Sequence, residues 1–380
     1  IDHFEAAGLT ALANTSPHTV TIPGAISAWE TLLAAHGTRG LDELLQPAIA
    51  YAEDGWPVHH RVASDWAGQE DKLRQTGAGA FLPGGHAPRP GDLFRQQPLA
   101  ETLRTIAKQG ARGFYEGAVA ADMVATLRAH GGLHTEADFA AGRTGAEFVE
   151  PATGGPLGPE RLHRHLEAAR LVYQDRDAFL ADPAQIEVPV ARLTSRAHLD
   201  ELRGLIDPAR AMPHLPAVGE AMLPVHRDTV YLCTVDRDGN ACSFINSLFQ
   251  GFGSGILAAQ SGVMLQNRGL GFRLLRGHPN CIAPGKRPMH TIIPGLVTQG
   301  GRAVMPFGVM GGHFQPMGQT LFLTNMFDYG LDIQQALDLP RLFPYAGQTE
   351  VERGIPAATV DALARMGHTL MPVERPHGGG

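Results

Sequence analysis

The chain has 380 residues, a formal net charge of −7, and 43% apolar against 18% charged side chains. That length supports a large core in one or two domains. The acidic balance, with no Lys/Arg stripe, excludes nucleic acid as a partner, and no apolar run approaches the ~18–20 residues that a membrane-spanning helix needs.

The first 210 or so positions read mainly as helices. Pro23-Gly24 precedes an amphipathic run over 25–36. Apolar residues at helical spacing predict further helices over 41–53, 58–74, 99–108 and 118–129. Asp54-Gly55, Gly77, Gly110 and Gly131 supply the stops. Thr135-Glu136-Ala137-Asp138 resembles a capping box. The longest helix is expected over 159–181, with Leu162, Leu166, Ala169, Val172 and Tyr173 on one face, and another follows over 195–205.

After Pro208 the pattern changes. Period-2 and β-branched runs predict strands over 229–235, 241–247, 262–266, 290–297 and 303–310. Helices return over 319–329, 333–337 and 357–366, and strands over 349–353 and 369–373 complete the pattern. Helices first, then strands with flanking helices, point to a layered α/β domain whose sheet is mostly antiparallel.

The richest stretch is Asp228-Thr229-Val230-Tyr231-Leu232-Cys233-Thr234-Val235-Asp236-Arg237-Asp238-Gly239-Asn240. It reads as strand, tight turn and strand, because Asp-Gly is a strong hairpin signal. Upstream, positions 222–227 read as a loop. A cut between Asp228 and Thr229 gives the threonine both a hydroxyl nucleophile and a free α-amine. The amine can serve as the base that activates the hydroxyl.

Three features bear on that threonine. Ser247 ends the second strand, within reach of the head of its hairpin partner, or is simply a strand-end serine. Gly311-Gly312 follows an apolar strand, and bare glycine N–H groups suit an oxyanion hole, although most Gly-Gly pairs are only turns. Phe252-Gly253-Ser254-Gly255 lacks the spacing of a phosphate loop. The 18 histidines show no metal-ligand spacing. His59-His60 are adjacent and His163/His165 are two apart, both unsuited to one ion on a helix, so no metal and no cofactor is expected. Cys233, Cys242 and Cys281 cannot form a disulfide framework. The first two fall in strands and read as small buried residues.

Together these residues resemble the γ-glutamyltranspeptidase family of N-terminal-nucleophile hydrolases, and the likeness runs along nearly the whole chain. It is carried early by Thr21-Ile22-Pro23-Gly24-Ala25 with Trp29, by the run from Leu44 to Ala52, by Gly113-Phe114-Tyr115-Glu116-Gly117 and by Gly131-Gly132-Leu133. The run from Glu167 to Asp177 follows. Asp228-Thr229, Asp238-Gly239-Asn240, Phe252-Gly253-Ser254-Gly255, the run from Ala283 to Pro288, Gly308-Val309-Met310-Gly311-Gly312 and Asp328-Tyr329-Gly330-Leu331 complete it.

The resemblance implies an α/β fold of the αββα sandwich type, with two stacked, mainly antiparallel sheets between helical layers. It implies a precursor that cuts itself at Asp228/Thr229. The products are a helical-rich large portion over 1–228 and a small portion over 229–380, paired as a heterodimer, with further dimerisation open. Thr229 then attacks an amide, Ser247 supports it, and Gly311 and Gly312 hold the oxyanion. Water or an amine takes the acyl group.

The substrate positions depart from that family. Phe4 stands where the family has an arginine for the glutamyl carboxylate, and Phe249 where it has an asparagine. Gly271, in Asn267-Arg268-Gly269-Leu270-Gly271-Phe272, stands in place of an aspartate, and His290 and Thr291 in place of paired serines. Without those partners, burying a zwitterion is costly. Arg268 remains as a positive anchor for a small acid or amide-acid, or as half of a structural ion pair. The pattern is similar to the branch of oxamate amidohydrolases and cephalosporin acylases. The expected substrate is a small amide, with weak or no γ-glutamyl specificity. A true γ-glutamyltransferase or glutathione hydrolase, and a catalytically idle binding homologue, remain as alternatives.

The chain opens on Ile1 without a start methionine and closes on Gly378-Gly379-Gly380, and both ends read as truncation points. The family's early helix and strand, a final strand, and a segment where only positions 152–157 stand here are either deleted in this copy or outside this sequence, the second being the expectation. No secretory leader is visible. Residence stays open, with the cytoplasm slightly ahead of the periplasm.

Overall fold

The computed structural model describes residues 1–135, 155–213, 229–345 and 347–374. Asp228, the 222–227 loop and most of the capping-box sequence lie outside the described residues. The chain divides into two compact units that interleave in sequence. One comprises Ile1–Arg143, Ser247–Leu274 and Ala283–Pro288, and the other Thr144–Asn246, Leu275–Ile282 and Met289–Gly380.

The first unit is helical. Helices Ala25–His36, Gln46–Asp54, Gln97–Gln109 and Gly117–Ala129 surround a core that includes Val20, Ile49, Ile106, Met123 and Leu127. Gln97–Gln109 starts with Pro98 in its first turn, where no N–H is needed, and stops at Gly110 with φ 66°. Positions 58–74 split into His60–Ala67 and Glu70–Gln75 around Gly68. A second cluster packs Trp66, Phe81 and Phe94, with the indole N–H donating to the Phe81 carbonyl at 2.9 Å. These helices grip the returning segment 247–274. Thr102 Oγ1 donates to the Ser261 carbonyl at 2.8 Å, and Asp122 accepts from the Ser261 N–H and hydroxyl. Lys72 Nζ donates to the Gly251 carbonyl at 2.7 Å and also to that of Gly253.

The second unit carries the long helix Pro159–Phe179 and the helix Gln315–Phe327. Their apolar faces meet in a core of Leu162, Leu166, Phe314, Met317, Leu321 and Phe343. Val230–Val235 pairs antiparallel with Ala241–Asn246, in register from Val230↔Asn246 to Val235↔Ala241. Gly239 takes φ 82° at the turn, and Asp236 Oδ1 accepts from the N–H groups of Asp238 and Asn240 at 2.9 Å each. A second hairpin joins Gly295–Gln299 to Arg302–Phe307. A three-stranded sheet runs Leu370–Val373, Gln348–Glu352, Leu342–Tyr345, the first pair parallel and the second antiparallel.

The described strands therefore form one three-stranded and four two-stranded sheets. The architecture is mixed α/β, and the predicted pair of extended stacked sheets is not assembled among the described residues. Two smaller expectations are corrected. Cys233 is exposed and Cys242 half-buried, both free thiols, because neighbouring Val230, Leu232 and Val235 are exposed too and that stretch is not core. His290 and Thr291 lie outside any strand. Pro294 has no N–H to donate, and the strand begins after it, at Gly295.

Candidate active site

Thr229 directly precedes the strand Val230–Val235 and is 6% exposed. Two residues on, on the same face of the strand, is Tyr231. Its ring lies on Gly308, where a Cβ would stand 2.5 Å from Cδ2 of the tyrosine. The Tyr231 and Ser243 hydroxyls are 3.2 Å apart, and Ser243 Oγ donates to the Phe307 carbonyl at 3.1 Å. Burial pushes the Tyr231 phenol up to about 12. The threonine-bearing hairpin is thus fastened to the end of the Arg302–Phe307 strand. Gly308-Val309-Met310-Gly311-Gly312 continues from there.

Gly311 has φ 121° and Gly312 φ 56°. L side chains rarely take either value, which is why this turn demands two glycines. The Phe314 N–H closes the turn on the Gly311 carbonyl at 3.0 Å, and the helix Gln315–Phe327 follows at once. That helix also holds the stretch containing His290 and Thr291. Gln315 Oε1 accepts from the Ile293 N–H at 3.4 Å, and Gln319 Nε2 donates to the Ile293 carbonyl. Thr291 is buried. Thr229, His290, Thr291, Gly311 and Gly312 accordingly belong to one compact unit, the second.

Phe4, Ser247, Phe249, Asn267, Arg268 and Gly271 belong to the first. Ser247 follows the strand rather than ending it, and its Oγ accepts from the Phe249 N–H at 3.0 Å. Phe249 is fully buried at φ 81°, a backbone state that bulky residues avoid. The Arg268 guanidinium stacks on its ring, 3.8 Å from the centroid. Burial lowers that guanidinium to about 9, still a cation at neutral pH. Asn267 is locked by Gln250, donating to its Oε1 at 2.8 Å and accepting from its N–H at 3.2 Å. Phe4 is buried edge-on to His3 and His18, at 5.2 Å each. The turn Pro17–Thr19 meets the turn Arg268–Gly271, where a Cβ on Gly269 would stand 2.6 Å from the Thr19 carbonyl oxygen.

Sequence spacing missed a buried cluster. His163 meets His368 rather than His165, Nδ1 to Nε2 at 2.8 Å, and its Nε2 faces the Asp207 carbonyl at 2.8 Å. Glu167 accepts from Arg170 at 2.7 Å and from the Met212 N–H at 2.8 Å. Ligand atoms of His163, Glu167 and His368 lie within 4.8 Å of one another, so these are the described residues that could hold a metal. Nitrogens around a tetrahedral ion keep about 3.3 Å apart, given bonds of about 2.0 Å, so an ion would have to part the two imidazoles. The i,i+4 spacing of His163 and Glu167 was the one legible signal, and its third member is 205 positions away from His163.

The sequence matches the family Gamma-glutamyltranspeptidase over residues 1–153 and 143–380. The chain belongs to the γ-glutamyltranspeptidase family. It is 34% identical over 358 residues to the glutathione hydrolase-like YwrD proenzyme of Bacillus subtilis, covering 85% of this chain and 66% of that relative, just under two thirds of its length. It is 32% identical over 408 residues to the oxamate amidohydrolase proenzyme of Klebsiella pneumoniae, covering 96% and 76% of the two chains. Among solved structures, cephalosporin acylase from Bacillus halodurans matches with a TM-score of 0.86 at 34% identity, over 99% of this family member and 76% of that chain.

Proposed function

We propose that this chain is a self-processing amidohydrolase or acyltransferase whose nucleophile is Thr229. The observation that carries the reading is the seat of Tyr231 on Gly308, which ties the strand headed by Thr229 to the turn that ends in Gly311-Gly312. Cleavage of the Asp228–Thr229 peptide frees the α-amine and leaves fragments 1–228 and 229–380 as a heterodimer. The names of the relatives, which are proenzymes, support that step.

The α-amine, with an ordinary pKa of ~7.7–8.0, takes the proton from the Thr229 hydroxyl as its oxygen attacks the amide carbonyl carbon. The oxyanion sits on the N–H groups of Gly311 and Gly312. The carbon–nitrogen bond breaks, and the amine leaves with that proton. Water, or an acceptor amine, then attacks the Thr229 ester and restores the hydroxyl. Ser247 supports the nucleophile. Thr229 precedes Val230 and Ser247 follows Asn246, the last register pair of the hairpin. The αββα sandwich belongs to the same reading, supported by the likeness to cephalosporin acylase.

The substrate is a small amide carrying an acid group, with Arg268 as its positive anchor and the glutamyl anchors replaced at Phe4, Phe249, Gly271, His290 and Thr291. An oxamate amidohydrolase and an acylase among the similar proteins support this choice. The likeness to a glutathione hydrolase-like protein favours a second reading, true γ-glutamyl transfer. Denaturing electrophoresis with intact mass tests the nucleophile. Wild type gives two fragments, the smaller starting at Thr229, and Thr229→Ala gives one band. A single full-length band from the wild type defeats the reading. Steady-state turnover of a γ-glutamyl anilide at transpeptidase rates decides for the second.

A further inference from the structure

Two adjacent glycines at positive φ cannot hold their own peptide planes, because glycine has the widest choice of backbone states. An oxyanion hole works only when its donors are fixed before charge develops. Gly308 and Tyr231 fix the chain on the upstream side. On the downstream side the next residue is His313, which is 6% exposed.

Two side chains of the helix Pro159–Phe179 hold His313. Tyr173 Oη donates to its backbone carbonyl at 2.5 Å, and Arg176 Nη1 meets its ring Nδ1 at 3.0 Å. A guanidinium only donates, so Nδ1 is the acceptor and the imidazole carries its proton on Nε2. The two holders also brace each other. They are three apart on the helix, and the Arg176 guanidinium lies over the Tyr173 ring, 4.4 Å from its centroid. Asp177 accepts from the same guanidinium at 2.7 Å. The Tyr173 ring packs edge-on against Phe343 at 5.9 Å, and Phe343 packs edge-on against Phe314 at 5.7 Å. One clamp therefore grips His313 by its carbonyl and its ring, and seats the residue after it through the shared Phe343.

We propose that Tyr173 and Arg176 are positioning residues for the oxyanion hole, acting through His313 on the peptide planes of Gly311 and Gly312. The inference rests on the reading of Thr229 as the nucleophile and of the glycine pair as its oxyanion hole. Burial pushes the Tyr173 phenol up to about 12, so its hydroxyl keeps the proton it donates throughout the neutral range.

The test uses the full chain, with p-nitrophenyl acetate as acyl donor. Rates are expressed per mole of fragment beginning at Thr229, and intact mass reports acetylation of that fragment. Tyr173→Phe keeps the ring on Phe343 and removes only the hydroxyl. It is expected to lower kcat roughly 10- to 100-fold with KM within twofold, as a displaced transition-state donor does. Arg176→Met should act likewise, while Arg176→Lys, which keeps a donor for Nδ1, should recover part of the loss. A merely structural role would lower the yield of processed protein and leave kcat per processed site unchanged. Wild-type kcat in Tyr173→Phe, or in Arg176→Met should the first variant fail to fold, overturns the inference while Thr229 acetylation in the wild type still stands. Absence of any acetyl adduct on Thr229 in the wild type overturns the nucleophile itself, and this inference falls with it.

Discussion

Tyr231 and Gly308 touch so closely that no side chain fits between them: a Cβ at 308 would lie 2.5 Å from Cδ2 and 2.6 Å from Cε2 of the ring. A methyl group can enter only by displacing the tyrosine or the turn. Gly308→Ala is therefore expected to cost about 1–3 kcal/mol of stability, the usual range for overpacking. Self-cleavage at Asp228/Thr229 should slow with it. Thermal unfolding and the time course of fragment appearance measure the two effects. Tyr231→Phe keeps the ring and loses the contacts of the hydroxyl, that to Ser243 among them, so its cost should be about 1 kcal/mol with cleavage retained.

The loop after Ser247 offers a comparison in the other unit. Lys72 Nζ donates to the carbonyls of both Gly251 and Gly253, and Thr76 Oγ1 donates to that of Gly255 at 2.5 Å. These anchors hold a loop in which Phe249 and Phe252 both take positive φ. Lys72→Met keeps the stem and removes the donor. Each carbonyl it abandons loses a charge-assisted bond worth about 1.5–3 kcal/mol when buried. Hydrogen exchange of residues 249–255 should rise by an order of magnitude or more in this variant, while exchange in the helix Gly117–Ala129 stays at its wild-type rate.

A helix with clean amphipathic spacing and a glycine stop, Gln97–Gln109, was legible in the sequence, as was the Asp238-Gly239 hairpin. The glycine pair was legible because glycine takes positive φ without strain. The strand Leu342–Tyr345 was not legible. It contains Pro344 and draws its definition from pairing with Gln348–Glu352, a tertiary fact. The roles of Tyr173, Arg176 and His368 were hidden for the same reason. Each is an ordinary helix or loop residue until the chain brings His313 or His163 to it, about 140 or 205 positions away. Spacing along one helix displays half of such a pair and cannot name the other half.

The buried histidines set a pH limit on the second unit. Burial, then the neighbouring His163, lowers His368 to about 4, and burial, then Arg161, lowers His165 to about 4. Both are neutral in the folded protein at pH 7, and their unfolded counterparts titrate near 6.5. A depressed folded pKa means that the unfolded state binds protons first. Stability is therefore fully present above about pH 6.5 and drains as pH falls toward 4, levelling off once both states are protonated. The full loss should be on the order of 3 kcal/mol for each group, at 1.36 kcal/mol per pKa unit over the drop from 6.5 to about 4. Denaturant titrations at pH 7, 5.5 and 4.5 measure it. His368→Gln should flatten the dependence, and an unchanged slope would show that His368 does not carry it.

The proposed role of Arg268 as anchor for an acid group can be tested on its own. Its guanidinium is buried against the Phe249 ring and stays cationic despite the drop to about 9. If Arg268 anchors the substrate as proposed, an acid group on the amide should contribute a charge-assisted bond of about 1.5–3 kcal/mol. That converts to roughly 10- to 100-fold in kcat/KM. Glutaryl p-nitroanilide should accordingly be cut that much faster than the neutral butyryl p-nitroanilide. Arg268→Leu should erase the preference by slowing the acid substrate and leaving the neutral one alone. Arg268→Lys keeps the charge but not the flat stacking face, and should fall between the two. Equal losses on both anilides in Arg268→Leu would assign the arginine to the fold rather than to the substrate.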